Sequence, residues 1–210
     1  MSIRKIDAQK IEQAISDFER EVDFELVPVI TDKSSFTEHI GWMISLLLLL
    51  LFLLSIDFFF QDSWASKNWY YGLAPFVAVI VGHLLDKSDG VDRFFFSKPE
   101  RARQSYEKAQ RVFFLKRLHE VKAKNSLILF VSVMERQIVI LPDPRMNYEG
   151  VHQLQQQLLQ LLQRDFGQKQ FERGFLNAIS FLKSELKAKF PRRSSDTENL
   201  VPNKLIWWKD

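Results

Sequence analysis

The chain has 210 residues, of which 46% are hydrophobic and 26% are charged, and its formal net charge is +3. A chain of this length is sufficient for one soluble domain of ordinary size with a membrane insert. It contains no cysteine, which excludes a disulfide scaffold, a zinc–thiolate site and a cysteine nucleophile.

The first forty residues predict one helix and one strand. Ile11, Ile15 and Phe18 recur at helical spacing, which predicts a helix over residues 4–23 with these side chains on its buried face. Phe24 to Ile30 is rich in Val, Leu and Ile and predicts a strand. Because residues 1–39 hold no partner for it, we expect this strand to pair with Ser126 to Val133.

Two long apolar segments follow, at about residues 40–60 and 68–85. A helix that crosses the hydrocarbon layer needs roughly 17–25 apolar residues, so the two segments predict a transmembrane hairpin over residues 40–85. Two crossings return the chain to its starting side. The first segment begins too late for a cleaved signal peptide, and we expect it to act as an uncleaved anchor.

The distribution of basic residues predicts the orientation of this hairpin. Its loop carries only Lys67, whereas residues 86–125 hold eleven basic and six acidic side chains. Basic residues remain preferentially in the cytoplasm, so we expect a multi-pass protein of the cell inner membrane with both termini and the soluble domain cytoplasmic. Anionic headgroups of the lipid bilayer are the expected partner of the basic stretch. No nucleic-acid partner is expected, since no motif for base recognition accompanies the charge.

The second half predicts a helix, two strands and two helices. Pro99 to Lys122 is the first helix, and Ser126 to Val133 with Arg136 to Leu141 form a β-hairpin. The last two helices are Val151 to Phe166 and Phe171 to Phe190. The interleaved glutamines of the former suit a partner-helix surface or, as we favour, the polar side of an ordinary packed helix. The fold class is therefore α/β, a single sheet with helices on its faces, interrupted by the transmembrane hairpin.

Residues 192–210 form a C-terminal tail that ends in an apolar segment, Leu200 to Trp208. Tryptophan rings are rarely left in water, because each buries on the order of 200 Å². The segment can pack on the domain, or its tryptophans can lie in the headgroup layer. We expect packing for Leu200 to Ile206 and the headgroup layer for Trp207 and Trp208.

Carboxylates at the strand ends are the only plausible ligands for a hard cation. No Walker loop, GxGxxG, GxSxG or HExxH pattern occurs. Asp32 follows the first strand and Asp143 follows the third, where α/β sheets place ligands. Glu25 and Glu135 are candidates for the same neighbourhood. Their oxygens suit a divalent cation such as calcium, and the alternative is a set of solvated turn carboxylates.

The segment Leu127 to Ile140 resembles the central signature of the TPM domain, whose bacterial form has a strand, Ser-x-x-Glu-Arg, and a second strand ending in Asp. Further matches follow in order over nearly the whole chain, including a helix with Gly and Ala-Ile, a Phe-Pro terminus and an Asn-x-x-Pro ending. The residues that carry the resemblance are Ser132, Glu135, Arg136, Asp143, Gly174, Ala178, Ile179, Phe190, Pro191, Asn199 and Pro202.

This resemblance implies a bacterial TPM-like domain made of residues 1–39 and 86–191, with the membrane hairpin inserted after the first strand. It implies a membrane-anchored accessory protein that assists assembly, maintenance or modulation of a membrane protein or envelope component, without catalysis of its own. LemA-type membrane proteins and other TPM proteins are the implied partners. One alternative is a weak metal-assisted phosphatase, an activity attributed to a plant relative. Another, from the two apolar segments alone, is a two-helix subunit of a larger membrane complex.

Two loops depart from the family pattern. Lys124-Asn125-Ser126 stands where the family has Arg-Thr-Gly, and Asp143-Pro144-Arg145 stands where it has Asp-x-Gly. Glycine permits close approach of a ligand to the backbone, which Pro144 forbids. These departures favour the accessory role over the phosphatase.

Overall fold

The computed structural model describes residues 6–35, 39–59, 64–86, 88–120, 125–146, 148–192 and 204–208. The chain divides into two units, Met1–Ser34 with Ala102–Asp210 (the sheet unit) and Ser35–Arg101 (the hairpin unit). The helices are α1 Ala8–Glu21, α2 Ile40–Phe59, α3 Trp64–Asp86, α4 Asp89–Phe95, α5 Lys98–Leu115, α6 Val151–Gly167 and α7 Phe171–Leu186. The strands are β1 Glu25–Thr31, β2 Ser126–Ser132, β3 Gln137–Pro142 and β4 Ile206–Trp208.

The four strands form one mixed sheet in the order β3-β2-β1-β4. β1 is parallel to both β2 and β4, and β2 and β3 form an antiparallel hairpin. Glu25 lies beside Ser126 at one end of the central pair, and Thr31 lies beside Ser132 at the other. The expected pairing of the first strand with a segment about a hundred residues further along the chain is thus observed. The predicted α/β class, a sheet with helices around it, is confirmed at this level.

Three helices cover one face of the sheet. Ile11, Ile15 and Phe18 of α1 are fully buried there, as their helical spacing predicts. Two further apolar stripes join them, Leu154, Leu158 and Leu162 of α6 and Phe175, Ile179, Leu182 and Leu186 of α7. Each such side chain contributes roughly 1.5–3 kcal/mol when it is removed from water, so this three-helix layer is the main core.

The second face packs against α5. Ala109, Val112 and Phe113 are buried against the β1 and β2 side chains of that face, and a short 3₁₀ turn, Leu118–Glu120, follows. The helix ends at Leu115, seven residues before the predicted end at Lys122. Arg117 adopts a positive φ of 57°, and a left-handed residue ends an α-helix just beyond its last turn.

In the hairpin unit, α2 and α3 are long and apolar enough to cross a membrane, by length and composition. They pack through small residues. A Cβ on Gly82 would lie 2.0 Å from Ser45 Oγ and 3.0 Å from the carbonyl oxygen of Gly41. Ala78 and Ala74, one and two turns before Gly82, are buried in the same stripe. The short helix α4, which the sequence did not predict, follows α3.

The end of the tail forms β4. Ile206, Trp207 and Trp208 pair with Val29, Ile30 and Thr31. Trp208 packs on the apolar cluster that α5 forms with the second face of the sheet (the second-face cluster), while Trp207 is 40% exposed. The structure therefore includes both tryptophans in the sheet, whereas the sequence suggested the headgroup layer for them. Residues 193–203, which contain the start of the predicted apolar ending, lie outside the described residues.

Candidate functional site

A buried polar cluster lies where β1 and β2 end. β1 ends at Thr31 and β2 at Ser132, and the turn of residues 133–136 leads into β3. The backbone continues the pairing beyond the strands, because Val133 N–H donates to the Thr31 carbonyl at 3.1 Å and Met134 N–H to the Asp32 carbonyl at 2.9 Å. These bonds fix the turn against the chain that follows β1.

Glu135 is the centre of this cluster, and its side chain is completely buried. The backbone N–H of Ser34 donates to Glu135 Oε1 at 2.7 Å. The Ser132 hydroxyl donates to Glu135 Oε2, and the Ser34 hydroxyl donates to Ser132 Oγ at 2.7 Å. We call Ser34, Ser132 and Glu135 the junction cluster, because Ser34 is the last residue of the sheet unit before the hairpin unit begins.

Lys108 of α5 supports the same loop from the second face. Its side chain is 8% exposed, and Nζ donates to the Lys33 carbonyl at 2.6 Å. The Thr31 hydroxyl donates to that carbonyl as well, at 3.0 Å. Hydrogen bonds to a charged donor are stronger than neutral ones. Both polar groups of the Lys33–Ser34 peptide are therefore held, the carbonyl by Lys108 and Thr31 and the N–H by Glu135.

Arg136, the last residue of the motif, serves the turn through its backbone. It adopts a positive φ of 55°, and its side chain is exposed. A left-handed residue at this place lets the chain reverse into β3 although Met134-Glu135 is not a favoured hairpin turn. The Ser-x-x-Glu-Arg motif is therefore a turn that presents one buried carboxylate to the chain after β1.

A second polar group lies at the other end of the sheet, where β1 and β2 begin and β3 ends. Asp143 is 2% exposed, and its backbone N–H donates to the Ser126 carbonyl at 2.8 Å. Both its oxygens accept from Arg145, Oδ1 from the backbone N–H at 2.8 Å and Nε at 3.0 Å, and Oδ2 from Nη2 at 2.5 Å. The Asp143 carboxylate raises the pKa of the Arg145 guanidinium above its usual value through this bond.

The four candidate metal ligands are not brought together. Asp32 and Glu135 lie at the end of the sheet where β1 ends, and Glu25 and Asp143 lie at the end where β1 begins. The six residues of β3 separate Glu135 from Asp143 by roughly 20 Å. Among the described residues, no group of three or more His, Asp or Glu side chains is arranged to hold a metal ion. One cation site built from all four carboxylates does not form.

The remaining motif residues have structural positions. Gly174 lies where α7 crosses α6, since a Cβ on it would lie 2.4 Å from Phe166 Cε1. Pro191 forms an isolated antiparallel bridge with Val22, which ties the chain after α7 to the residue that caps the end of α1. Asn199 and Pro202 lie outside the described residues.

Sequence reasoning missed three polar residues that the structure uses. Ser34 and Lys108 were not singled out, because a loop serine and a helix lysine carry no pattern of their own. The third is Asp165 of α6, which is 2% exposed and accepts from Asn177 Nδ2 of α7 at 2.6 Å. A charged residue on an apolar helical stripe was the signal that could have identified Asp165.

Comparison with known proteins shows similarity of fold. No family model matches the chain, and no curated protein matches it. The chain is similar to the NMR structure of the BA42 protein from the psychrophilic bacterium Bizionia argentinensis, with a TM-score of 0.58 and 15% sequence identity. That similarity covers 96% of this chain and 92% of the BA42 chain. At this identity the similarity concerns the fold alone.

Proposed function

We propose that the chain is a membrane-anchored accessory protein of the TPM type, which assists assembly, maintenance or modulation of another membrane protein or envelope component. The anchor is the α2–α3 hairpin in the cell inner membrane, and the sheet unit is cytoplasmic. The sequence resemblance described above supports the TPM assignment, and the mixed sheet with helices on both faces is compatible with it.

The observation that carries the proposal is the surface of α2 and α3. The helix of a soluble core buries its apolar side chains, whereas only 17% of the apolar stretch of α2 and 17% of that of α3 is buried here. In α2, Trp42 is 71% exposed, Leu46 69% and Phe58 71%. An apolar surface of this extent in water is unfavourable, and lipid tails are the solvent that suits it.

The arrangement of the carboxylates supports a role without catalysis. Glu135 is occupied by the junction cluster, and Asp143 by Arg145. A metal ion at either place would have to displace these donors. A phosphatase built on all four candidate carboxylates would need the two ends of the sheet to act as one site, so the geometry favours the accessory role.

The anchor is tested by alkaline extraction of cell membranes. We expect the chain to remain in the membrane pellet, and a Leu47→Lys/Leu50→Lys variant to be extracted, because a charge in the middle of a span costs several kcal/mol. A Gln157→Lys/Gln160→Lys variant adds the same charge to the exposed side of α6 and should remain in the pellet. Extraction of the unmodified chain would overturn the proposed anchor.

The orientation is tested with a C-terminal reporter that is active only outside the cytoplasm. The excess of Lys and Arg after α3 favours a cytoplasmic C-terminus, so the reporter should be silent. Strong activity would place the sheet unit on the outer side of the membrane.

The accessory role is tested by co-purification and by assay. LemA-type proteins and a second TPM protein, each co-expressed with this chain, are the partners to examine in mild detergent. Phosphate-ester hydrolysis with calcium or magnesium is measured in parallel. We expect no turnover, and a turnover that is lost in an Asp143→Ala variant would establish the phosphatase alternative instead.

A further inference from the structure

In the sheet unit, apolar side chains that face solvent are concentrated on one helix. Among the described residues of this unit, four large hydrophobic side chains are exposed, and three of them lie on α5. They are Tyr106 at 45%, Phe114 at 60% and Leu115 at 60%. An apolar surface confined to one side of a helix is typical of a binding surface.

The same helix is basic in its sheet-unit part. Residues 102–117 contain five Lys or Arg and one acidic residue. Arg103 and Arg111 are exposed on α5 beside the exposed aromatic side chains. One acidic residue on this side, Glu107, pairs with Arg103 at 3.8 Å. Basic residues interleaved with Phe, Tyr and Leu on one side of a helix are the pattern of helices that lie in the membrane interface.

The opposite side of α5 is already occupied. Ala109, Val112 and Phe113 are buried in the second-face cluster. One side of α5 therefore faces the sheet, and the other faces solvent. Phe114 touches the edge of that cluster through the ring of Phe113, at 5.7 Å between centroids, yet Phe114 and Leu115 each remain 60% exposed.

We infer that the outer side of α5 binds the surface of an anionic bilayer, with the aromatic rings among the headgroups and Arg103 and Arg111 near lipid phosphates. This inference rests on the proposed membrane anchor, because only the short helix α4 separates α5 from α3 in the chain. The charge of the stretch selects an anionic bilayer over a zwitterionic one. The sheet unit would then lie on the bilayer through its second face, with α1, α6 and α7 away from it.

The test uses the full chain in lipid nanodiscs, with a nitroxide label on one introduced cysteine, since the chain has none of its own. Gln110→Cys places the label in the middle of the exposed side of α5, between Tyr106 and Phe114. Gln160→Cys places it on the exposed side of α6, which covers the other face of the sheet. Leu50→Cys places it on α2. Accessibility to oxygen and to a water-soluble nickel complex gives the depth of each label.

We expect the label at 110 to be shielded from the nickel complex when the nanodiscs contain phosphatidylglycerol, and less so in phosphatidylcholine alone. The label at 160 should be water-exposed in both. Each basic residue near an anionic surface favours binding roughly fivefold, so Arg103→Gln/Arg111→Gln should lower the ratio of bound to free sheet unit about 25-fold. Removal of two charges from the other face, Arg20→Gln/Arg164→Gln, should leave that ratio unchanged.

Two failures are distinguishable. If the label at 50 lies in hydrocarbon while the label at 110 is as water-exposed as that at 160 in both lipids, the anchor stands and the surface inference is wrong. That outcome would leave the exposed side of α5 to a protein partner. If the label at 50 is itself outside the hydrocarbon, the proposed anchor fails.

Discussion

At the scale of single residues, Glu135 shows how one buried carboxylate can define a motif. It has no exposed surface, and it accepts hydrogen bonds from Ser34 and Ser132, residues that are 98 positions apart in the chain. A buried charge is tolerated when hydrogen bonds replace its hydration. The motif therefore fastens the chain where it leaves the sheet unit for the hairpin unit.

Removal of this carboxylate should destabilise the sheet unit. Glu135→Ala leaves the Ser34 N–H and the Ser132 hydroxyl without their acceptor, at a cost of about 2–4 kcal/mol in the free energy of unfolding. Glu135→Gln keeps one acceptor oxygen and should cost less. Urea unfolding in mild detergent measures both. Asp32→Ala, an exposed carboxylate on the same edge, is the control and should stay within about 0.5 kcal/mol of the unmodified chain.

Glu21 carries a testable pH dependence. Hydrogen bonds from Lys183 and Lys187, at 2.7 and 2.6 Å, lower the pKa of Glu21 from its usual 4.5 to about 2. A lowered carboxyl pKa stabilises the fold above the unfolded value of 4.5, and that stabilisation is lost as the pH falls toward 2. The melting temperature of Glu21→Gln should therefore be lower than that of the unmodified chain at pH 6, with the difference vanishing toward pH 2. A constant difference over this range would contradict the assignment.

The candidate carboxylates show where sequence reasoning about a site stops. Asp32 and Asp143 both follow a strand, which suggested that they lie at the same end of the sheet. However, β1 is parallel to β2 and β3 is antiparallel to β2, so β1 and β3 end at opposite ends of the sheet. The β-hairpin was predictable from the sequence, but the direction of β1 relative to it depends on a contact a hundred residues away. The junction cluster depends on the same pairing of β1 with β2, so the sequence alone did not reveal it.

At the scale of elements, periodic apolar patterns predicted most of the fold. The stripes of α1, α6 and α7 and the three longer strands were found, because burial on one face imposes a period on the sequence. β4 was missed, since three residues are too few to show a period and its pairing with β1 is tertiary. α4 was missed for the same reason, with seven residues. The early end of α5 depends on the conformation of Arg117, which no apolar pattern reveals.

The packing of α2 against α3 gives a prediction with an internal control. A side chain on Gly82 would meet Ser45 and the backbone of Gly41, whereas nothing lies within 4 Å of a Cβ on Gly72. Close approach through small residues is how membrane helices gain packing energy. Gly82→Leu should therefore separate the two helices and lower the temperature of unfolding in detergent. Gly72→Leu gains the same helix propensity and should not lower it, and equal effects would mean that Gly82 is not at the contact.

At the scale of the whole molecule, the sheet unit is assembled from two stretches of chain separated by the hairpin unit. β1 precedes the apolar helices and β2 follows them, yet the two strands pair along their full length. This pairing and the three-helix layer are made within the sheet unit, so its core does not depend on the apolar helices. The sheet unit can therefore fold in water without the apolar helices of the hairpin unit.

The last prediction tests that separation. With residues 39–88 replaced by a flexible Gly/Ser linker, the chain should be soluble without detergent and keep β1 beside β2. A Glu25→Cys/Ser126→Cys pair joins register partners and should form a disulfide on oxidation, because bridged Cα atoms lie within about 7 Å. Glu25→Cys/Ser132→Cys spans the length of the strand, roughly 20 Å, and should not form one. Cross-linking of both pairs, or of neither, would mean that the hairpin helices are required to bring β1 to the sheet.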